Sequence, residues 1–463
     1  MERMKKMRTK VGFSEALVVL IIMLTIMGVG VIGFGLSPQT PVMLVIALIM
    51  LWARLRHFEF TVINKGIQEG IETGIIPIFI FILVGALIST WIAAGIIPSL
   101  MVFGFKLISV RWFVPSVFVV CALVGTSVGS AFTVISTVGI AFFGMGMTMG
   151  VNPALVAGAI ISGAVFGDKS SPLSESTNLT AAVVGADLFK HIENLMWTTI
   201  PAFIISLLGF TILGHGAAAA NFGKINRTVA VLTQNFNVSL WAIVPISLMF
   251  ICAWRKMPAI PTLFLNIFVS VLMIFIEQPS MSLKKIAAII ETGFVAKSGN
   301  TDVDMLLTRG GISSMMGTVS LIVLTLSLGG LLMKLGLIDA IMVPLAKRLN
   351  TDGKLVTAGI VAGIGVNLFI GEQFLSVILP GKAFKKAFNQ AGLANVALGR
   401  VLEDGGTVIN YLVPWGVAGV FAANTLGVPT LDYLPFTFFS LLSPIFSLLS
   451  GYTGIGLKRI ASK

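Results

Sequence analysis

The chain has 463 residues, of which 56% are hydrophobic and only 11% charged, and its mean hydropathy is +1.00. These values exclude a soluble globular chain, and with no run of short alternating segments they also exclude a β-barrel. The formal net charge of +12 does not point to nucleic acid. The basic residues sit at the termini and at the ends of apolar runs, where cytoplasmic loops collect them.

The opening Met1–Lys10 is expected on the cytoplasmic side. The apolar run behind it is too long for a signal peptide and lacks a small-residue cleavage pattern. Apolar stretches of about 20 residues cross a bilayer as helices, and the runs along this chain read as about ten to twelve such spans. A first helix is predicted at about Glu15–Gly35 and a second at about Pro41–Arg54. The loop with Arg54, Arg56 and Lys65 reads as cytoplasmic, and Phe58–Thr73 as an amphipathic segment lying along the surface. Pro77, Gly85, Gly95 and Pro98 punctuate a third helix. The run from Trp112 meets a Gly/Ser/Thr interruption at Gly125–Ser130 and a glycine cluster at Gly144-Met145-Gly146. Asn152-Pro153 opens the helix that enters a polar island, and another helix covers about Trp197–Leu213. Two spans, about Val238–Trp254 and Pro258–Ile276, are joined by Arg255-Lys256. Cys121 and Cys252 both lie in apolar runs and read as buried thiols.

The island runs Gly167-Asp168-Lys169-Ser170-Ser171-Pro172-Leu173-Ser174-Glu175-Ser176-Thr177-Asn178. It follows 56 uncharged residues after Arg111. A charge near the bilayer centre is costly and non-helical backbone survives there only inside protein or against a cavity, so the island reads as a buried ion site.

The second half repeats the first. Gly129-Ser130-Ala131-Phe132 aligns with Gly371-Glu372-Gln373-Phe374 at an offset of 371 − 129 = 242, and Pro172 aligns with Pro414 at 414 − 172 = 242. Asn410 then falls opposite Asp168. Interrupted segments at corresponding positions mark inverted-repeat transporters. If the Arg255-Lys256 turn is cytoplasmic, the first repeat ends outside, the second ends inside with Lys458, Arg459 and Lys463, and the two are inverted. The basic residues between Lys284 and Arg309 vote weakly against this. The expected organisation is a tail and two helices in 1–65, a first repeat in 66–214, a linker with two helices in 215–307 and a second repeat in 308–463. The fold class is an all-α polytopic membrane protein with discontinuous helices near the midplane.

The candidate ion ligands are Asp168, Ser171, Glu175, Thr177, Asn178, Thr126, Ser127 and Ser130 in the first half. In the second half they are Asn367, Glu372, Glu403, Asp404, Thr407 and Asn410. Hard cations want oxygen, and Na⁺ is placed at Asp168 and Asp404. Lys169 and Arg400 are charge-compensating. The alternatives are structural: Arg400 pairing with Glu403 or Asp404 on one helix face, Lys169 neutralising Asp168, and Glu372 pairing with Lys382 or Lys385. His57, His191 and His215 are isolated near predicted loop ends and read as no metal site. No His-Glu-x-x-His or Gly-x-Ser-x-Gly pattern supports an enzyme.

The island through Leu179 resembles the signature of the NhaC family of bacterial sodium/proton antiporters. So does Leu402-Glu403-Asp404-Gly405-Gly406-Thr407-Val408, followed by Val413-Pro414-Trp415-Gly416. The resemblance spans about Gly66 to Leu449. It implies an inverted-repeat secondary carrier in the bacterial plasma membrane, with both termini cytoplasmic, that exchanges Na⁺ or Li⁺ for H⁺ by alternating access and serves pH homeostasis. It implies no cofactor; the expected partners are lipid, Na⁺ and protons, with a homodimer as one oligomeric option. One branch of the family exchanges malate plus protons for Na⁺ plus lactate, and Gly74–Gly95 is similar to that branch. That alternative would use Lys169, Arg400 or a helix N-terminus to hold the anion. The chain departs from the family at Glu175, where Asp is usual, and at Asn410-Tyr411, where a small polar pair is usual.

Overall fold

The structure is a computed structural model and describes residues 11–107, 109–215, 222–255, 257–347, 349 and 351–460. Hydrocarbon offers backbone groups no partner, so the chain satisfies them internally with helices. Among the described residues the only β pairings are two isolated bridges. Ahead of the repeats come α1 (Phe13–Gly28), extended by a π turn, α2 (Gln39–Leu55) and α3 (Phe60–Glu72). The first half continues as α4 (Ile75–Ala93), α5 (Ile96–Leu107), α6 (Phe113–Val128) and α7 (Ala131–Met149). It ends with α8 (Pro153–Ser170), α9 (Glu175–Val184) and α10 (Leu188–His215). Five helices connect the halves: α11 (Phe222–Asn235), α12 (Ile243–Trp254), α13 (Ala259–Glu277), α14 (Leu283–Thr292) and α15 (Thr301–Leu307). The second half opens with α16 (Ile312–Lys334), α17 (Leu337–Lys347), α18 (Asp352–Ile370) and α19 (Gln373–Gln390). It closes with α20 (Asn395–Gly405), a 3₁₀ stretch Thr407–Leu412, α21 (Val417–Leu426), α22 (Thr430–Tyr433) and α23 (Phe438–Thr453).

Among the described residues seven helices are long and apolar enough to cross a membrane, and counting three bent pairs as spans raises this to ten. The number sits at the low end of the expectation because α2, α5 and α6 are apolar but short. The molecule is an all-α polytopic membrane protein. The expectations for Met1–Lys10, Lys256 and Lys463 lie outside the described residues.

The backbone repeats its breaks at the spacing found in the sequence. Helix α8 starts at Pro153 and α20 at Asn395, and 395 − 153 = 242. Left-handed glycines recur in pairs at the same offset: Gly129 and Gly371, Gly150 and Gly392, Gly185 and Gly427, all with φ between 70° and 75°. A side chain pays a steric penalty there, which is why each helix stops on glycine. After the first pair the chain restarts on a capping side chain. Ser130 accepts from the Thr133 N–H and Glu372 from the Leu375 N–H. The helix crossings also correspond, with Gly163 against the Phe118 backbone and Gly405 against that of Ile360.

The equivalent helices α4 and α16 pack directly on each other. Gly74 lies against Leu326, Gly85 against Met315 and Gly311, and the Gly311 N–H donates to the Gly85 carbonyl at 2.7 Å. Ascending numbers on one meet descending numbers on the other, so the two run antiparallel. Equivalent elements that pack antiparallel are related by a two-fold perpendicular to them. Both are membrane spans, so that axis lies in the membrane plane and the repeats are inverted.

One local expectation is corrected. Helix α3 does not lie along the surface; it runs beside the C-terminal half of α16. Gly66 packs on Gly330 and Lys334, and Gly70 on Leu326 and Gly330. Two glycines four apart strip one helix face to backbone, and small residues on facing helices let the backbones approach. The polar face of α3 carries Glu69, which receives Lys334 Nζ at 2.8 Å.

Candidate ion site

The restarts after Gly129 and Gly371 and the end of α8 converge on one cavity of about 440 Å³. Ser130 and its counterpart Glu372 both line it, and so do Asp168 and its counterpart Asn410. The cavity therefore straddles the two-fold. Glu175, Ser176 and Asn178 line it from the start of α9, and Thr133 and Gln373 from the restarting helices. Pro77, Phe81, Phe132, Met249, Met257 and Leu263 supply apolar wall. Three carboxylates face this space, and no Lys, Arg or His is among its described lining residues.

Each polar group is held by a local break. Asp168 is buried near the C-terminal end of α8 and accepts from Ser174 Oγ at 2.6 Å. Ser174 caps α9 by accepting from the Thr177 N–H. Thr177 Oγ1 donates back to the Asp168 and Lys169 carbonyls, which ties the broken ends together. Asn178 Nδ2 donates to the Pro172 and Ser174 carbonyls at 2.9 and 2.7 Å. In the second half Asn410 plays the bridging part. Its Nδ2 donates to Asn367 Oδ1 at 2.7 Å, and its Oδ1 accepts from the Ala418 N–H at 3.0 Å. Asn367 in turn donates to the Gly406 carbonyl at 2.7 Å. Glu372 is buried at the N-terminus of α19, where an anion is favoured, and accepts from the Leu375 N–H at 2.8 Å.

Several sequence expectations give way here. Lys169 pairs with Asp404, not Asp168: Nζ donates to Asp404 Oδ1, and Thr198 Oγ1 donates to Oδ2 at 2.9 Å. Both charged side chains are fully buried, so Asp404 spends its oxygens on an ammonium and a hydroxyl and lies outside the cavity lining. Asp168 and Glu372, not Asp168 and Asp404, face the same cavity. Arg400 does not pair with Glu403 or Asp404; it donates to the Gly456 carbonyl at 2.8 Å and to Ser450 Oγ at 2.7 Å. Glu372 caps its own helix instead of pairing with Lys382 or Lys385. Thr126 and Ser127 bond back to the Ala122 and Leu123 carbonyls within their helix. Ser171 Oγ accepts from the Leu173 N–H, and Thr407 and Glu403 are buried away from the cavity. His191 lies in the first turn of α10, near a loop end as expected, but is fully buried. Both cysteines are buried and free.

The sequence-level candidates missed Thr133, Ser176 and Gln373. Gln373 directly follows Glu372 inside the repeat alignment, while Thr133 lies one residue past it, opposite Leu375. Ser176 belongs to the island itself.

The model of the Na⁺/H⁺ antiporter family matches residues 163–455, which holds both broken segments. The chain belongs to the Na⁺/H⁺ antiporter family. It is 38% identical over 452 residues to the Na⁺/H⁺ antiporter NhaC of Alkalihalophilus pseudofirmus, covering 98% of this chain and 97% of that one. It is also 38% identical to the Na⁺/H⁺ antiporter NhaC of Bacillus subtilis, covering 96% and 98%. The malate-2H⁺/Na⁺-lactate antiporter of Bacillus subtilis is 31% identical, covering 86% and 85%. The cavity is where the two halves pool their polar groups.

Proposed function

We propose that the chain is a secondary transporter that exchanges Na⁺ for H⁺ across the bacterial plasma membrane by alternating access. The observation that carries this reading is a cavity on the two-fold with Asp168, Glu175 and Glu372 and no described cationic lining residue. The oxygens of Ser130 and Gln373, which also line it, complete a hard-ligand set suited to a small cation. A buried carboxylate needs a counter-ion or a proton, and holding one at a time is the elementary condition for exchange. The in-plane two-fold supports alternating access, because each half meets the site from the opposite side. The names of the NhaC relatives agree. The basic residues at both ends support cytoplasmic termini.

The organic-acid alternative is less well supported. A malate or lactate carboxylate needs a cationic partner, and Lys169 and Arg400 are already committed to Asp404 and to Ser450 with Gly456. The test is transport in proteoliposomes with Na⁺, Li⁺ or K⁺ against a pH dye, with and without malate and lactate. An ion–carboxylate attraction of about 4 kcal/mol at 4 Å and an effective dielectric of 20 sets the scale. Asp168→Asn is therefore expected to weaken Na⁺ binding by roughly two to three powers of ten. Glu372→Gln is expected to act in the same direction. Wild-type exchange in both variants would refute the assignment, and Na⁺ flux that requires malate or lactate would favour the alternative.

A further inference from the structure

A second group of buried ionisable side chains lies outside the cavity. His191 of α10 and Glu403 of α20 are fully buried, with Nε2 and Oε1 4.0 Å apart. Neither ring nitrogen and neither carboxylate oxygen has a hydrogen-bond partner. Buried polar groups are nearly always satisfied, so four open atoms on two facing ionisable groups ask for an occupant. The imidazole is seated on Gly399, where an added Cβ would come within 2.8 Å of Nδ1. The ring is thus held in place, not swept in by chance.

The setting favours a proton over a metal, since no group of three or more metal-ligating side chains exists among the described residues. The charged groups on the surrounding elements are engaged elsewhere or exposed: Asp352 of α18 accepts from Arg459, and Lys354 of α18 with Lys382 and Lys386 of α19 are exposed. Asp404 and Lys169 hold each other, Arg400 is bonded to Ser450 and Gly456, Lys385 of α19 lies by Gly185, and Glu175 of α9 faces the cavity. Lys190 and Glu193 on the histidine's own helix are exposed. Helices α6 and α23 carry no charged residue.

We propose that His191 and Glu403 form a proton-binding site separate from the cation cavity, a proposal that rests on the Na⁺/H⁺ exchange reading above. Uptake forms one O–H bond on Glu403 or one N–H bond on His191, and release to water breaks it; no other bond changes. Two structural features connect this site outward and inward. Asn194 and Thr198 share the helix face of His191; Asn194 donates to the Gly456 carbonyl and Thr198 to Asp404. On α23, which packs against α10, Ser443 and Ser447 keep buried hydroxyls without partners. Inward, Glu403 adjoins Asp404, whose partner Lys169 adjoins Asp168 in the cavity. One ion pair thus separates the proton from the cation, and a charge change at either end is felt across it.

The test separates the two ions in proteoliposomes of the purified full chain. Na⁺-driven proton movement is followed from about pH 5 to about 9, and ²²Na⁺-for-Na⁺ exchange is followed in parallel. Glu403→Gln is expected to lower proton movement at least roughly tenfold while ²²Na⁺ exchange continues. His191→Gln removes the imidazole that faces the carboxylate at 4.0 Å and is expected to change the pH profile of proton movement. A wild-type pH profile in either variant overturns the proposal. So does equal loss of both activities in a monodisperse Glu403→Gln protein, which would make Glu403 part of the cation site. If Glu403→Gln fails to fold, the His191→Gln profile decides alone. Wild-type vesicles that exchange no ²²Na⁺ would overturn the cation reading itself, and this proposal with it.

Discussion

The Lys169–Asp404 pair decides whether Asp404 is an ion ligand or a structural partner. In the structure its two oxygens accept from Lys169 Nζ and Thr198 Oγ1, and both charged side chains are fully buried. Replacing Asp404 by Asn leaves a buried ammonium without a counter-charge, and replacing Lys169 by Met leaves a buried carboxylate with one hydroxyl. Breaking a buried pair from one side costs about 3–5 kcal/mol, a large part of a total stability of roughly 5–15 kcal/mol. At about 1.4 kcal/mol per factor of ten, each single variant shifts the folding equilibrium by roughly two to four powers of ten. The double variant Lys169→Met/Asp404→Leu removes both charges at once, and such replacements are often neutral or stabilising by about 1–4 kcal/mol. Thermal unfolding in detergent, read from the 7 tryptophans, should therefore show two destabilised single variants and a recovered double. Because neither residue lines the cavity, the double variant should still bind ²²Na⁺. An Asp404→Asn protein of unchanged stability that no longer binds ²²Na⁺ would refute this reasoning and return Asp404 to the ion's coordination shell.

Three further outcomes follow from packing and local electrostatics. Gly70→Ala would place a Cβ 2.1 Å from the Leu326 carbonyl oxygen, so α3 must move off α16 at a cost of about 1–3 kcal/mol; an unchanged unfolding temperature would contradict the glycine-packed contact. Gly129→Ala meets both a φ of +73° and a Cβ 2.7 Å from the Leu173 backbone, so it should cost more than the about 1–2 kcal/mol of the left-handed conformation alone and weaken Na⁺ binding by displacing Ser130. In the connecting segment the Ser298 N–H and hydroxyl both donate to Asp304 Oδ1 at 2.7 Å and hold its carboxyl below the ordinary 3.8. A lowered folded value means the contribution is complete above pH 3.8 and fades as pH falls through the folded value. The Ser298 amide should accordingly lose hydrogen-exchange protection in that acidic window, and Asp304→Asn should remove the pH dependence.

What could be read in advance, and what could not, divides along a physical line. Hydropathy speaks for each segment alone, so the spans and the polar island were legible; the offset of 242 survived because left-handed glycines and their caps at 129–130 and 371–372 are local backbone necessities. Side-chain partnership across the two-fold is not local. Lys169 lies one residue from Asp168 but bonds Asp404, 235 positions away, and nothing in either neighbourhood marks the choice. The same limit explains α3, whose glycines gain meaning only beside α16, and His191, which looks like a loop histidine until α20 is laid against it. This asymmetry also locates the departure between the halves. Asp168 and Asn410 occupy equivalent places, yet Asn410 spends both ends of its amide on Asn367 and Ala418, whereas Asp168 accepts from the Ser174 hydroxyl and faces the cavity. An amide that donates and accepts can close one broken helix onto the next, and an ionised carboxylate, which only accepts, cannot do both. The duplicated frame therefore keeps one half as a structural clasp and leaves the other half's carboxylate facing the cavity. Asn410→Asp should accordingly cost stability by breaking the clasp with Asn367 instead of adding a second Na⁺ position, and a variant that binds two ions at wild-type stability would show that the clasp is not what the asparagine is for.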